Sequence, residues 1–149
     1  MGFALDYEKL IHLDAEELAE RGLREAYVSI VPHLRRYVPE PAEVLEIIEP
    51  SAQTYFVECQ GVGYLIYSPE IPCDEGQIWG RATQALFKIV NNQLAKSEYR
   101  LFAINGGNDL GGMFLTQAEV DTARHSLPRK EDWPYLPTLE GPWYGQPHG

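Results

Sequence analysis

The residues of this chain that most invite a chemical role form a glycine-rich turn at residues 105–109, Asn-Gly-Gly-Asn-Asp. Proteins use clustered glycines with nearby polar side chains to hold calcium or to cradle phosphate. Calcium repeats need several stacked copies, whereas this chain has one copy with a different spacing. No Lys-Ser or Lys-Thr pair follows the glycines, as a phosphate loop requires. The turn therefore predicts a tight hairpin that presents Asn105, Asn108 and Asp109 on a rigid scaffold.

Other catalytic and metal-binding patterns are weak. The four histidines are scattered without a second ligand at metal-binding spacing, and no Gly-x-Ser-x-Gly motif is present. The sequence thus predicts no catalytic residue, no metal site and no cofactor. The catalytic alternative is a small hydrolase or metal-dependent enzyme centred on Asn105, Asn108 and Asp109, with His125 as a further member of the site.

Charge is distributed unequally along the chain. The net charge is −10, and residues 1–75 contain 15 acidic and 5 basic side chains, against 7 and 7 in residues 76–149. Such a field attracts basic proteins and repels nucleic acid and anionic membranes, so we expect a basic protein partner, no nucleic acid and no membrane. No secretory signal pattern is recognisable at the N-terminus, which predicts a cytoplasmic location.

One long helix is expected to place the first acidic side chains. Asp14 followed by Glu17 is close to a capping box, and apolar residues then recur every three or four positions as far as Val38. Pro32 predicts a kink or a split in this helix, because proline lacks a backbone donor. The polar face of the helix includes Glu16, Glu17 and Glu20.

Three strand-like runs follow, at residues 44–48, 54–60 and 62–67. Between the last two, Gln60-Gly61 predicts a hairpin turn. Glu43, Glu46 and Glu49 bracket the first run. In a regular strand Glu43 and Glu49 share one face and Glu46 points to the other, and charge on an edge strand discourages aggregation.

The second half begins with an apolar helix at residues 77–95, followed by a hairpin of residues 99–104 and 110–115. Thr116 with Glu119 is a capping box for a further helix to about Ser126. The predicted fold class is therefore α+β, with a mainly antiparallel sheet of about five strands and three helices in the order α-β-β-β-α-β-β-α. Residues 1–139 are expected to form a single α+β domain, and residues 140–149 a proline-rich and aromatic tail.

The C-terminal aromatic residues suggest a second surface. Trp133, Tyr135 and Trp143 lie among five prolines in the last 22 residues. They either form an exposed aromatic surface for a ligand or seal one end of the core.

Small, acidic, cytoplasmic α+β proteins without catalytic residues include bacterial immunity proteins, which block the active surface of a toxin that is often basic. By analogy with that class, the sequence predicts a non-catalytic protein-binding module of the inhibitor or immunity type. Its predicted contacts are Glu16, Glu17, Glu20, Glu43, Glu46 and Glu49, with Asn105, Asn108 and Asp109 as further contacts. A structural or assembly subunit that uses the aromatic tail is the other alternative.

Overall fold

The computed structural model describes residues 7–70 and 75–138. Within this part of the chain the predicted mixed α+β class is confirmed, with four α-helices and two three-stranded antiparallel sheets. The helices are α1 (Ala15–Glu20), α2 (Leu23–Leu34), α3 (Glu75–Gln93) and α4 (Gln117–Ser126). The strands are β1 (Ile11–His12), β2 (Val44–Glu49), β3 (Thr54–Cys59), β4 (Val62–Tyr67), β5 (Tyr99–Ile104) and β6 (Gly111–Thr116). The predicted tail at residues 140–149 lies outside the described residues.

The first sheet is an antiparallel meander in the order β2-β3-β4. Gln60 and Gly61 join β3 to β4 with φ angles of 52° and 79°. A two-residue turn with positive φ at both positions matches the twist of the flanking strands, so the predicted hairpin is confirmed. Buried Tyr55, Val57 and Cys59 alternate along β3 with half-buried residues, as the two-residue period of a strand requires.

The second sheet has the order β1-β6-β5, and its central hairpin is the one predicted around residues 105–109. Both faces of this sheet are covered. Leu101 and Ala103 of β5 join the main core, while Phe102 packs in a second cluster with Met113 of β6 and Val120 of α4. From one side of the domain to the other, the layers are therefore α4, then the second sheet, then the helices α1 to α3, and finally the first sheet.

The expectation of one sheet of about five strands was wrong. Helix α3 packs against both β4 and β5, and its buried residues Ala82, Leu86 and Val90 fill the space between the two sheets. Strand pairing is a long-range property, so the sequence does not show whether two successive hairpins belong to one sheet or to two separate layers. The short strand β1 then completes the second sheet by pairing with Gly111 and Gly112 of β6.

The expectation of three helices was also wrong, because the first predicted helix is two. The break lies at Gly22, whose φ of 102° and ψ of 139° are far from helical values. Pro32 stays within α2, which ends two residues later at Leu34. A proline close to the end of a helix disturbs few of its hydrogen bonds, so the positive φ of Gly22 decides where the chain turns.

Both predicted helix N-termini are confirmed. The Asp14 carboxylate accepts hydrogen bonds from the backbone N–H groups of Glu16 at 2.9 Å and Glu17 at 3.4 Å. Thr116 and Glu119 form a reciprocal capping box at the start of α4. Among residues 7–70 and 75–138, no helix combines the length and the apolar character needed to cross a bilayer.

Candidate functional site

The β2-β3-β4 sheet has one face packed on the helices and one open face. Inward-facing Val44, Tyr55, Val57 and Ile66 belong to the main core. We call the open side the outer face. By strand register it contains the apolar side chains Leu45, Ile47, Phe56 and Leu65 and the acidic side chains Glu49 and Glu58. Glu43 lies one residue before β2 and is exposed.

The centre of the outer face is apolar. Ile47 lies opposite Phe56 in the β2-β3 pair, and Phe56 lies opposite Leu65 in the β3-β4 pair. The Phe56 ring covers Gly63, because a Cβ placed on that glycine would come within 2.5 Å of the Phe56 Cζ. Leu45 is 57% exposed, Ile47 47% and Leu65 37%. These side chains form a contiguous group across three strands, whereas single exposed apolar residues are common on any protein.

Three carboxylates lie around this apolar centre, and none of them forms an ion pair with another described residue. Glu58 pairs with Leu45 across the strands, Glu49 ends β2, and Glu43 directly precedes it. The described residues contain two ion pairs, Arg21–Glu17 and Arg129–Glu131, and neither involves this sheet. The sequence from residue 37 to residue 80 contains no Lys, Arg or His. The negative charge of the outer face is therefore not compensated within its own strands.

Glu46 has a different position from Glu43 and Glu49, because it points to the inner side of β2. Its carboxylate accepts hydrogen bonds from the Tyr55 hydroxyl and, at 3.2 Å, from the backbone N–H of Arg24. Burial and the hydrogen bond to Glu46 raise the pKa of Tyr55 far above its usual range. Glu46 thus connects β2 to the start of α2, and this contact on the inner side helps to fix the position of the strand that carries the outer face.

The other predicted acidic contacts lie on α1. Glu17 is 3.9 Å from Arg21, and Glu20 is exposed. The Asn108 side-chain amide lies 3.5 Å from the Glu16 carboxylate. The structure therefore brings the glycine-rich turn to α1, and it places Glu43 and Glu49 on a different element.

The polar groups of the glycine-rich turn are engaged within the chain. The Asn108 amide donates to the Asp14 carboxylate at 3.1 and 3.3 Å, and the Asn105 carbonyl accepts from the Tyr135 hydroxyl at 2.6 Å. Asn105 has a φ of 58°, so this residue makes the chain reversal itself. Asp109 is exposed. These contacts give the turn a structural role at the junction with α1.

His125, a further member of the predicted hydrolase or metal site, contacts the backbone of its own helix. The His125 Nδ1 lies 2.9 Å from the Asp121 carbonyl one turn earlier on α4. A depression of about 290 Å³ beside α1 and α2 includes His12, Glu17 and Glu25 in its wall. Within residues 7–70 and 75–138, no group of three or more His, Cys, Asp or Glu side chains is placed to hold a metal ion.

The predicted aromatic surface divides into a buried and a half-buried residue. Tyr135 is 2% exposed and packs in the main core. The Trp133 indole N–H donates to the Leu127 carbonyl at 2.9 Å, and its ring lies between the side chains of Arg124 and Lys130 at 5.9 and 5.8 Å. Trp143 falls outside the described residues. Residues 133–135 thus seal the second sheet.

Sequence reasoning identified the acidic residues of the outer face but missed its apolar centre. The β2 sequence, Val-Leu-Glu-Ile-Ile-Glu, lacks the alternation that marks a half-buried strand, because apolar residues lie on both of its faces. The available signal was the four apolar residues among the six of β2, in a stretch without a single cation. That signal is ambiguous until the strand order shows that β2 is an edge.

Comparisons of the chain with protein-family models, with curated proteins and with solved structures find no match.

Proposed function

We propose that this chain is a non-catalytic protein-binding module whose outer face binds a basic protein, in the manner of an inhibitor or immunity-type protein. The observation that supports this function is the apolar group formed by exposed Leu45 and Ile47 and half-buried Phe56, with carboxylates around it that form no ion pair with another described residue. An apolar centre with a polar rim is the usual composition of a specific protein interface.

The apolar centre supplies the affinity in this proposal. Complete burial of a Leu, Ile or Phe side chain contributes about 1.5–3 kcal/mol, and the exposed residues of the outer face retain much of that gain for a partner. Leu45 is 57% exposed and Ile47 47%, so over half of Leu45 and nearly half of Ile47 remain in contact with water. A partner that covers them gains free energy without any change in this chain's fold.

The carboxylates supply the preference for a basic partner. Glu43, Glu49 and Glu58 lie at the edge of the apolar group, where an incoming Lys or Arg meets them while still partly solvated. Rim charges of this kind mainly accelerate association and reject partners of like charge. The net charge of −10 adds long-range attraction, which weakens as salt rises.

The scaffold favours binding because it holds the outer face in place before the partner arrives. Glu46 and Tyr55 join the inner side of the sheet to the N-terminus of α2 through the backbone N–H groups of Arg24 and Leu23. Preorganisation of this kind reduces the entropy cost of association.

The test is selection of peptides from a displayed random library on the immobilised full chain. We expect the recovered peptides to combine Lys or Arg with apolar residues. The variant Glu43→Gln/Glu49→Gln/Glu58→Gln is expected to bind them about tenfold more weakly. The matched control, Glu16→Gln/Glu17→Gln/Glu20→Gln, makes the same change in net charge on α1 and is expected to bind normally. An equal loss of peptide affinity in both variants would contradict the proposal, because it would show that the peptides respond to the overall negative charge of the chain and not to a defined surface.

A further inference from the structure

We propose that the partner contributes an extended basic segment that pairs with β2 and continues the β2-β3-β4 sheet as a fourth strand. This inference rests on the proposed function and specifies how the outer face is used. Strand addition to an exposed sheet edge is a general mode of peptide recognition, in which backbone hydrogen bonds give affinity and alternate side chains give specificity.

The first support is the open backbone of β2. Among the described residues, β2 pairs with β3 on one side and has no backbone hydrogen bond to any other segment on its second side. Backbone N–H and C=O groups along such an edge are ready for pairing with another chain. Natural edge strands are commonly short, covered, interrupted or charged. β2 is six residues long and contains no proline or glycine, and the carboxylates at its two ends, Glu43 and Glu49, repel an acidic strand but attract a basic one.

The edges of the second sheet are protected by contrast. At Leu101 of β5, the Asn91 side chain accepts from the backbone N–H at 2.7 Å and donates to the carbonyl at 3.0 Å. At Ala103, Tyr135 exchanges two backbone hydrogen bonds of 2.7 and 3.0 Å with the strand. The opposite edge is β1, which has two residues. The backbone groups of Leu101 and Ala103 at the edge of β5 thus have hydrogen-bond partners within the chain, whereas the edge of β2 is available to another strand.

The charge around each edge of the first sheet distinguishes β2 from β4. A depression between β4 and α3 is lined by Tyr64, Leu65, Arg81 and Lys88. These two cations disfavour a basic segment at β4. Glu43 and Glu49 flank β2 with the opposite sign. A basic strand therefore selects the β2 edge.

Ile48 gives the most specific support. By register it lies opposite Tyr55 on the inner side of the sheet, and Tyr55 is 1% exposed. Ile48 is nevertheless 44% exposed. At this end of β2, therefore, both the inner side and the outer face of the sheet are uncovered. An added strand has side chains on both sides and so covers Ile48 together with Leu45 and Ile47.

The order of residues along β2 predicts the sequence of the added strand. Leu45, Ile47 and Glu49 follow each other on the outer face at intervals of two residues, and Glu43 precedes Leu45 by the same interval. The complementary segment has a cation, two apolar residues and a second cation, likewise at every second position. The pattern is symmetrical, so it suits a parallel or an antiparallel strand.

The experiment uses the synthetic peptide Lys-Thr-Val-Thr-Val-Thr-Lys and the ¹⁵N-labelled full chain. Only alternate N–H groups of an added strand point toward its neighbour. Two N-methylated versions of the peptide, one at the odd and one at the even positions, therefore distinguish strand pairing from other docking. We expect one version to bind about tenfold more weakly than the other, and alternate β2 amides to become protected from hydrogen exchange in the complex.

A charge exchange tests the register. The variant Glu43→Lys/Glu49→Lys is expected to lose the basic peptide by about tenfold and to gain the peptide Glu-Thr-Val-Thr-Val-Thr-Glu. The control Glu16→Lys/Glu20→Lys changes the net charge equally on α1 and is expected to keep the original preference.

Three results would overturn the inference. Equal binding of the two N-methylated peptides would exclude strand pairing while leaving the outer face as a binding surface. Protection of all β2 amides in the free full-length chain would show that another segment already occupies the edge. Failure of the unmodified peptide to bind, while library peptides still depend on Glu43 and Glu49, would reject strand addition and retain the proposed function.

Discussion

The hydroxyl of Tyr55 donates a hydrogen bond to the carboxylate of Glu46, and the same oxygen accepts one from the backbone N–H of Leu23 at 2.8 Å. The N-cap of α2 is Gly22, which has no side chain to offer. A helix begins with backbone N–H groups that lack partners within the helix. Two side chains of the β2-β3-β4 sheet supply those partners, so the sheet and α2 depend on each other.

Loss of the Tyr55 hydroxyl is predicted to destabilise the fold. Leu23 is fully buried, so Tyr55→Phe leaves its N–H without an acceptor. We expect the free energy of unfolding in urea to fall by about 1–3 kcal/mol. The control is Tyr64→Phe, because the Tyr64 hydroxyl accepts a hydrogen bond of 3.2 Å from the exposed Asn92 side chain. Equal stability of the two variants would refute this account of the helix terminus.

Gly22 and Gly61 form a matched pair for testing the break between α1 and α2. Both have positive φ, but a Cβ on Gly22 would lie 2.6 Å from the Glu46 Oε2, whereas nothing lies within 4 Å of one on Gly61. We expect Gly22→Ala to cost more than about 2 kcal/mol and Gly61→Ala about 1 kcal/mol. Thermal and urea unfolding measure both values. The reverse order would argue that Gly22 does not determine the helix break.

Stability is predicted to fall at alkaline pH. Burial raises the pKa of Tyr55 and of Tyr135 above the ordinary value of 10.0. Above that value the unfolded chain loses these protons while the folded chain retains them, so rising pH favours unfolding. Each tyrosine should contribute a slope of about 1.4 kcal/mol per pH unit from about pH 10 upward. Urea unfolding of Tyr55→Phe and Tyr135→Phe should show a smaller slope than the parent chain; an unchanged slope would contradict the assignment.

The cap at Asp14 predicts a further difference between two neighbouring side chains. Asp14 accepts backbone hydrogen bonds from α1 and a side-chain hydrogen bond from Asn108. We expect Asp14→Ala to cost about 1 kcal/mol, because a helix loses its N-cap. Asn108→Ala removes only exposed side-chain contacts, to Asp14 and Glu16, and should cost less than about 0.5 kcal/mol. A larger loss for Asn108→Ala in urea unfolding would mean that the turn itself stabilises α1.

Local features of this fold were predictable from the sequence, and long-range ones were not. The Gln60-Gly61 turn and the Thr116-Glu119 capping box depend on a few adjacent residues, and both were predicted correctly. The division into two sheets depends on where α3 packs, which no local pattern reports. The break at Gly22 combines a positive φ of 102° with close approach of the Glu46 carboxylate, which is 24 residues away in sequence. Pro32 was the stronger local signal, yet α2 continues through it to Leu34.

The candidate site shows the same division. Sequence periodicity placed Glu43 and Glu49 on one face of a regular strand and Glu46 on the other; the register puts Glu46 and Glu49 on opposite faces, and Glu43 lies just before β2. It could not show that β2 is an edge strand or that Ile48 remains exposed on the inner side. Those properties arise from packing between separate elements, so the apolar half of the surface became visible only in the folded chain.

Mapping by NMR tests the central claim most directly. The ¹⁵N-labelled full chain is titrated with a basic peptide recovered from the displayed library, and the amide shifts are assigned to residues. The account predicts saturable shifts concentrated on β2, on Phe56 and Glu58 of β3 and on Leu65 of β4. Shifts concentrated on α1 or on residues 105–109, or the absence of any saturable shift, would contradict it.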